Sequence, residues 1–124
     1  MIDFKNTSFF KLKPVSDKDF ADMITPMFVE GEHILQSFRG IRDGVVFTNK
    51  RIFAINVQGI TGKKKDFTSL PYRKITAFSV ETAGVLDLDS ELDLWFSGVG
   101  CVRFEFVAGA NVNQICRTIS HYVL

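Results

Sequence analysis

Four acidic residues recur at every second position: Asp87, Asp89, Glu91 and Asp93. Carboxylates at that spacing share one face of a strand, if the strand reaches so far, and can gather a cation or pair with bases across the sheet. A calcium loop begun at Asp87 needs Gly at its sixth position and Glu at its twelfth. The chain has Leu92 and Gly98 there, which excludes an EF-hand. A solvated face with cross-strand partners is favoured over a metal site. Lys63, Lys64 and Lys65 form the longest basic run. Cations so placed attract anionic lipid headgroups, each contributing on the order of 1 kcal/mol. Lysines also keep loops and strand edges soluble, and that role is the favoured one.

Other reactive residues lack partners in sequence. His33 and His121 fall at a strand start and a helix end, and no nucleophile elbow, HExxH, GxGxxG or phosphate-loop spacing occurs. Cys101 and Cys116 have neither CxxC spacing nor a nearby His. A disulfide between them stays open, but two reduced, packed thiols in a reducing compartment is the favoured reading, with Cys116 on the apolar stripe of a helix. No catalytic set, metal or cofactor is expected. Trp95 is out of phase with Leu94 and Phe96, so it faces outward as a candidate interface anchor; cover by the N-terminal arm is the alternative.

The elements that must position these groups are short. Residues 1–15 read as an irregular arm whose Phe4, Phe9 and Phe10 pack down. Ser16 reads as a helix N-cap, with Asp17 and Asp19 in the first turn. Phe20, Met23, Ile24, Met27 and Phe28 follow at helical spacing, so a front helix is predicted over about 16–29, kinked or ended at Pro26. Seven strands are predicted over about 33–108: 34–38, 45–48, 51–55, 65–70, 75–81, 91–96 and 102–106. Asn49-Lys50 makes a tight hairpin and Pro71 to Lys74 a turn. A helix over about 111–123 carries Val112, Ile115, Cys116, Ile119, Tyr122 and Val123 on one stripe, opened by Asn111 and Gln114 as a capping pair. Seven short strands closed by one helix describe a small bent sandwich or barrel.

The whole chain sets the limits. Its 124 residues, 46% apolar and 13% aromatic, fit one domain with a core of its own. Fifteen basic against fourteen acidic residues leave a net charge of +1, which argues against a nucleic-acid binder. The longest uncharged runs, residues 52–62 and 106–116, are each 11 residues, where a membrane span needs about 20. The opening MIDFKNTSFF has no signal-peptide pattern, so the cytoplasm is the expected location.

An ordered series of short motifs resembles the bacterial pleckstrin-homology (PH) domain family. It comprises Gly31-Glu32, Arg42-Asp43, Phe47 to Arg51, Gln58 to Lys64, Pro71-Tyr72 with Ile75, Phe78 to Gly84, Asp87 to Asp89, Glu91-Leu92 and the tail Tyr122 to Leu124. Asn56 departs from it, standing where Asp is expected. The resemblance implies a PH-like fold of seven strands in two bent sheets plugged by the C-terminal helix, here with an extra N-terminal helix. It implies a single PH-like domain over 16–124, no enzymatic activity, and self-association into ring-like homo-oligomers. Phosphoinositide-reading PH domains generally use the loop between the first two strands. That loop here, Arg39 to Arg42, is short and has only two basic residues, Arg39 and Arg42, which join the three lysines as candidate anion-binding residues.

Two functions are therefore expected. One is a homo-oligomeric interaction scaffold; the other is a monomeric adaptor that binds anionic lipid headgroups or a protein peptide.

Overall fold

Wherever apolar residues alternate, the chain is extended. The computed structural model describes residue 2, residues 8–86 and residues 88–124. Eight strands are described: β1 (Ser8–Val15), β2 (Ile34–Arg39), β3 (Gly44–Thr48), β4 (Arg51–Gln58), β5 (Lys64–Pro71), β6 (Ile75–Glu81), β7 (Ser90–Phe96) and β8 (Gly100–Phe106). They form one hydrogen-bonded sheet in the order β5-β4-β3-β2-β1-β8-β7-β6. Helix α1 spans Lys18–Ile24 and helix α2 spans Val112–Val123. Seven strands and both helices match the sequence-based expectation of a mainly β, PH-like architecture.

The eighth strand is a correction. Ser8–Val15 is not an irregular arm but the seam of the sheet. Its first half runs parallel to β8, with Phe9 beside Phe104 and Leu12 beside Phe106. Its second half runs antiparallel to β2, with Lys13 beside Arg39 and Val15 beside Ser37. The register shifts between Phe9 and Leu12, and Lys11 takes a positive φ of 53° there. This bulge lets Phe9 and Leu12 both turn inward although they are three residues apart. An alternation rule counts in twos and cannot find such a strand, and Pro14 argues against one besides. Phe4 and the side chain of Phe10 lie outside the described residues, as does Asp87.

The sheet folds over on itself. Val45, Phe47, Ile52 and Ala54 from one half meet Leu92, Leu94, Val102 and Phe104 from the other in a single core. Ile115 and Ile119 of α2 complete that core, and Asn111 caps the helix by accepting the Gln114 N–H at 3.1 Å. Each fully buried side chain of this size contributes about 1.5–3 kcal/mol.

A second, smaller core lies on the other face of β3 and β4, where Phe20 and Ile24 of α1 pack on Val46, Phe53 and Ile55. Strand β3 is thus buried on both faces, which explains its unbroken Val45-Val46-Phe47 run. The front helix is shorter than predicted. It ends at Ile24 and passes into a 3-10 turn, Thr25–Met27, where Pro26 lacks the N–H to continue it. Asp17, not Ser16, is the N-cap, while the Ser16 hydroxyl accepts the Lys18 N–H at 3.3 Å.

Candidate functional site

A tightly bonded polar cluster joins positions far apart in sequence. Arg51, at the start of β4, donates from Nε to Glu32 Oε2 at 3.0 Å and from Nη2 to Glu32 Oε1 at 2.9 Å. The Thr48 hydroxyl donates to Oε2 at 2.7 Å, and the Val29 N–H donates to Oε1 at 3.0 Å. Arg51 also donates to Met27 O at 2.6 Å and to Ser69 Oγ at 3.0 Å, and its guanidinium lies 4.2 Å from the centre of the Phe53 ring. The Glu32 side chain is wholly buried and that of Arg51 largely so. Burial alone would raise the Glu32 pKa. The hydrogen bonds from Arg51, Thr48 and Val29, with the Arg51 charge, outweigh it and hold the carboxyl below its ordinary value. Glu32 is therefore an engaged carboxylate, unsuited to pass a proton.

The same node fixes the hairpin and the turn beside it. Asn49 Oδ1 accepts the His33 N–H at 2.8 Å, and its Nδ2 donates to Gly31 O at 3.0 Å. Tyr72 donates its hydroxyl to Thr48 O at 2.7 Å, and burial pushes its pKa far up, so it stays neutral. Its ring stacks on Tyr122 of α2, with centres 4.9 Å apart. Gly31-Glu32, Thr48 to Arg51 and Pro71-Tyr72, scattered in sequence, thus form one structural unit. Sequence reasoning missed the Glu32–Arg51 pair because nothing periodic links residues 19 apart.

Around this node runs a groove in two parts. One, of about 680 Å³, is flanked by Lys50, Arg73 and Tyr122. The other, of about 510 Å³, is lined by Pro71, Arg73, Lys74, Phe96 and Val99. Ser69, Pro71 and Arg73 border both. Glu32 is the one acid among their lining residues, and both its oxygens are engaged.

The basic candidates divide. Lys63 lies in the β4–β5 loop, while Lys64 and Lys65 open β5 instead of lying wholly in the loop. Arg42 reaches the same loop, donating to Gly59 O at 2.8 Å, so the structure joins it to the lysine run. Ile41 and Ile60 stand exposed on these two loops. Arg39 is engaged elsewhere: it lies 3.8 Å from the Asp19 carboxylate and 4.6 Å from the centre of the Phe20 ring.

The acidic series is shorter than a four-residue face, because β7 begins at Ser90 and leaves Asp89 outside it. Glu91 and Asp93 share the outer face with Arg103 of β8. Arg103 bonds Asp93 through two nitrogens at 2.8 and 3.0 Å and lies 3.7 Å from Glu91. Among the described residues no cluster of three His, Cys, Asp or Glu is placed to hold a metal ion. Trp95 is exposed on that outer face, between Ala77 and Cys101. Cys101 and Cys116 are free and half-buried, so Cys116 lies at the margin of the core, not within it. Burial, aided by the Asp93 charge, raises the Cys101 pKa and keeps it a thiol. No described helix is long and apolar enough to cross a membrane.

A bent sheet closed by a C-terminal helix defines a PH-like module. The chain belongs to the bacterial PH domain family, whose pattern matches residues 3–123. It is 41% identical to a DUF1696-family protein with a pleckstrin-homology domain from Shewanella loihica PV-4 (TM-score 0.81; 92% of this chain and 98% of that one). It is 40% identical to a pleckstrin-homology domain from Shewanella amazonensis SB2B (TM-score 0.67; 89% and 90%). The uncharacterized protein YjqA of Bacillus subtilis is 54% identical over 72 residues, a stretch that spans 58% of each chain. YozO of the same organism, also uncharacterized, is 28% identical over 109 residues, or 88% of this chain and 94% of that one.

Proposed function

We propose that the protein is a non-catalytic interaction module that assembles with copies of itself. The observation that supports this is the contrast between the two free edges of the sheet. Edge strand β5 opens with Lys64 and Lys65 and ends at Pro71, the charges and proline that discourage strand pairing. Edge strand β6 reads Ile-Thr-Ala-Phe-Ser-Val before its first charge, Glu81, and exposes Thr76, Ala77 and Ser79. Trp95, next to Ala77 on the neighbouring strand, serves as an anchor beside this edge. Light scattering coupled to size exclusion, across a dilution series, tests the reading. A constant multiple of the protomer mass is expected, reduced by Ala77→Lys with Ser79→Lys. A monomer at every concentration overturns it, and an unchanged mass in Trp95→Ala removes Trp95 as an anchor.

A second reading rests on its own observation. The Arg42–Gly59 hydrogen bond holds two loops together, so that exposed Ile41 and Ile60 share one end of the molecule with Arg42 and Lys63 to Lys65. Apolar tips ringed by cations suit an anionic membrane surface. Binding to phosphatidylserine vesicles at low salt, weakened by added salt and by changing the three lysines to Ser, is the expected result. No sedimentation with vesicles at low salt removes the idea.

A further inference from the structure

Strand β5 ends at Pro71, and the chain turns through Tyr72–Lys74 before it enters β6. Tyr72 faces inward, where it is buried and bonds Thr48 O at 2.7 Å. Its neighbours Arg73 and Lys74 are left exposed. Lys50, exposed as well, joins them from the hairpin between β3 and β4. The Tyr72–Thr48 bond and the Arg51–Ser69 bond at 3.0 Å tie hairpin and turn together, so the three cations stand on a fixed backbone.

These side chains rim the two-part groove. Lys50 borders one part, Lys74 the other and Arg73 both. Pro71 and Val99 offer accessible apolar surface between them, backed by buried Leu70 and Phe96. Among the described residues none of the three cations has an acidic partner. Glu32, the one acid among the lining residues, has both oxygens engaged. Uncompensated like charges around a recess repel one another and draw in anions.

The arrangement selects among anions. A lone phosphate is held by donors that converge on one point. Here the cations are strung along a groove whose parts hold about 510 and 680 Å³, with apolar surface in between. A membrane takes apolar groups that protrude, as Ile41 and Ile60 do at the other loops, and not a recessed floor. An extended peptide fits, with apolar side chains for the floor and acids for the rim.

We infer that this groove binds an acidic segment of a partner protein, one that carries apolar residues between its acids. Arg73 holds a central acid and Lys50 and Lys74 the outer ones, while the apolar side chains settle on Pro71 and Val99. The contact uses the groove cations and not the β6 edge, so it does not depend on self-association.

Fluorescence anisotropy at low salt tests this. The probe is a labelled peptide library in which pairs of leucine, valine or phenylalanine are flanked by two acids on each side. A matched library has glutamine in place of every acid. Binding of the acidic library is expected, weakened by added salt and by more than about tenfold in Arg73→Glu with Lys74→Glu. Lys13→Glu with Lys18→Glu changes the net charge equally outside the groove and is expected to keep the affinity. All four positions are exposed, and circular dichroism checks that each variant folds. No binding of the acidic library, or equal binding of the glutamine library, overturns the inference. An equal loss in both double variants overturns it too, since net charge alone would then explain the binding. Phosphatidylserine vesicles that bind through Arg73 and Lys74 where the peptides do not would replace the peptide with a membrane and overturn it as well.

Discussion

Arg51 satisfies Glu32 so completely that removing either partner leaves a buried polar group stranded. Glu32→Gln keeps the shape but leaves the guanidinium without its counter-charge. It is expected to lower stability by about 3 kcal/mol, read from the midpoint of urea unfolding. The sign of the pH dependence follows from the depressed carboxyl. Its folded pKa lies below the unfolded value, so its stabilisation is complete at neutral pH. That stabilisation begins to fade as pH falls past the ordinary glutamate range and is gone beneath the lowered folded value. The wild type should therefore lose more stability than Glu32→Gln between about pH 5 and pH 3. Tyr72→Phe deletes the donor to Thr48 O and should cost about 1 kcal/mol, without a change in native mass. The segments of this node were legible as separate short motifs, but their meeting was not. Glu32 and Arg51 each stood in such a motif, yet their pairing stayed hidden, because the sequence shows charge but not which distant residue shares its burial.

The elements were mostly legible, because burial on one face imposes a period that sequence displays. Strand β8 shows it, with Val102, Phe104 and Phe106 inward and Arg103 outward. The seam β1 was hidden by its bulge at Lys11 and by Pro14, features that break the period by design of the backbone. Leu12→Ala tests its weight: Leu12 is fully buried beside Phe106, and its loss should cost about 2–5 kcal/mol in thermal or urea unfolding. Gly44 tests the second core. A Cβ there would meet the ring of Phe20, itself buried under α1. Gly44→Ala should push α1 outward and cost about 1–3 kcal/mol, and the pairing of that loss with Phe20→Leu should be less than additive. The acidic face was legible in kind, since Asp93 does pair across strands with Arg103, but its extent was not, because period says nothing about where a strand begins.

At the scale of the molecule, surface chemistry is unevenly shared. One end gathers Ile41, Ile60 and four cations; the β6 side holds an edge strand without charge before Glu81 and a basic groove. Assembly through acid–base contact should weaken with salt, whereas pairing along an uncharged edge should not. A native mass that holds as ionic strength rises past a few tenths molar points to the edge; a mass that falls points to a contact between charged groups instead. The sequence displayed the charged residues of both regions. Their grouping depends on which loops the fold brings to the same end, and a one-dimensional reading does not contain that.

The seam strand also orders events in time. Leu12 leaves the ribosome early, yet its parallel neighbour Phe106 follows nearly a whole chain later. Until β8 is synthesised, β1 can pair with β2 on one side only, and the sheet stays open in the middle. Closure is then a late, long-range step, slow by the logic of loop entropy. Nascent chains stalled before residue 100 should stay sensitive to protease around Leu12, and chains stalled after α2 has emerged should resist it. The same strand that joins the two halves of the sheet thus waits for β8 before its pairing is complete.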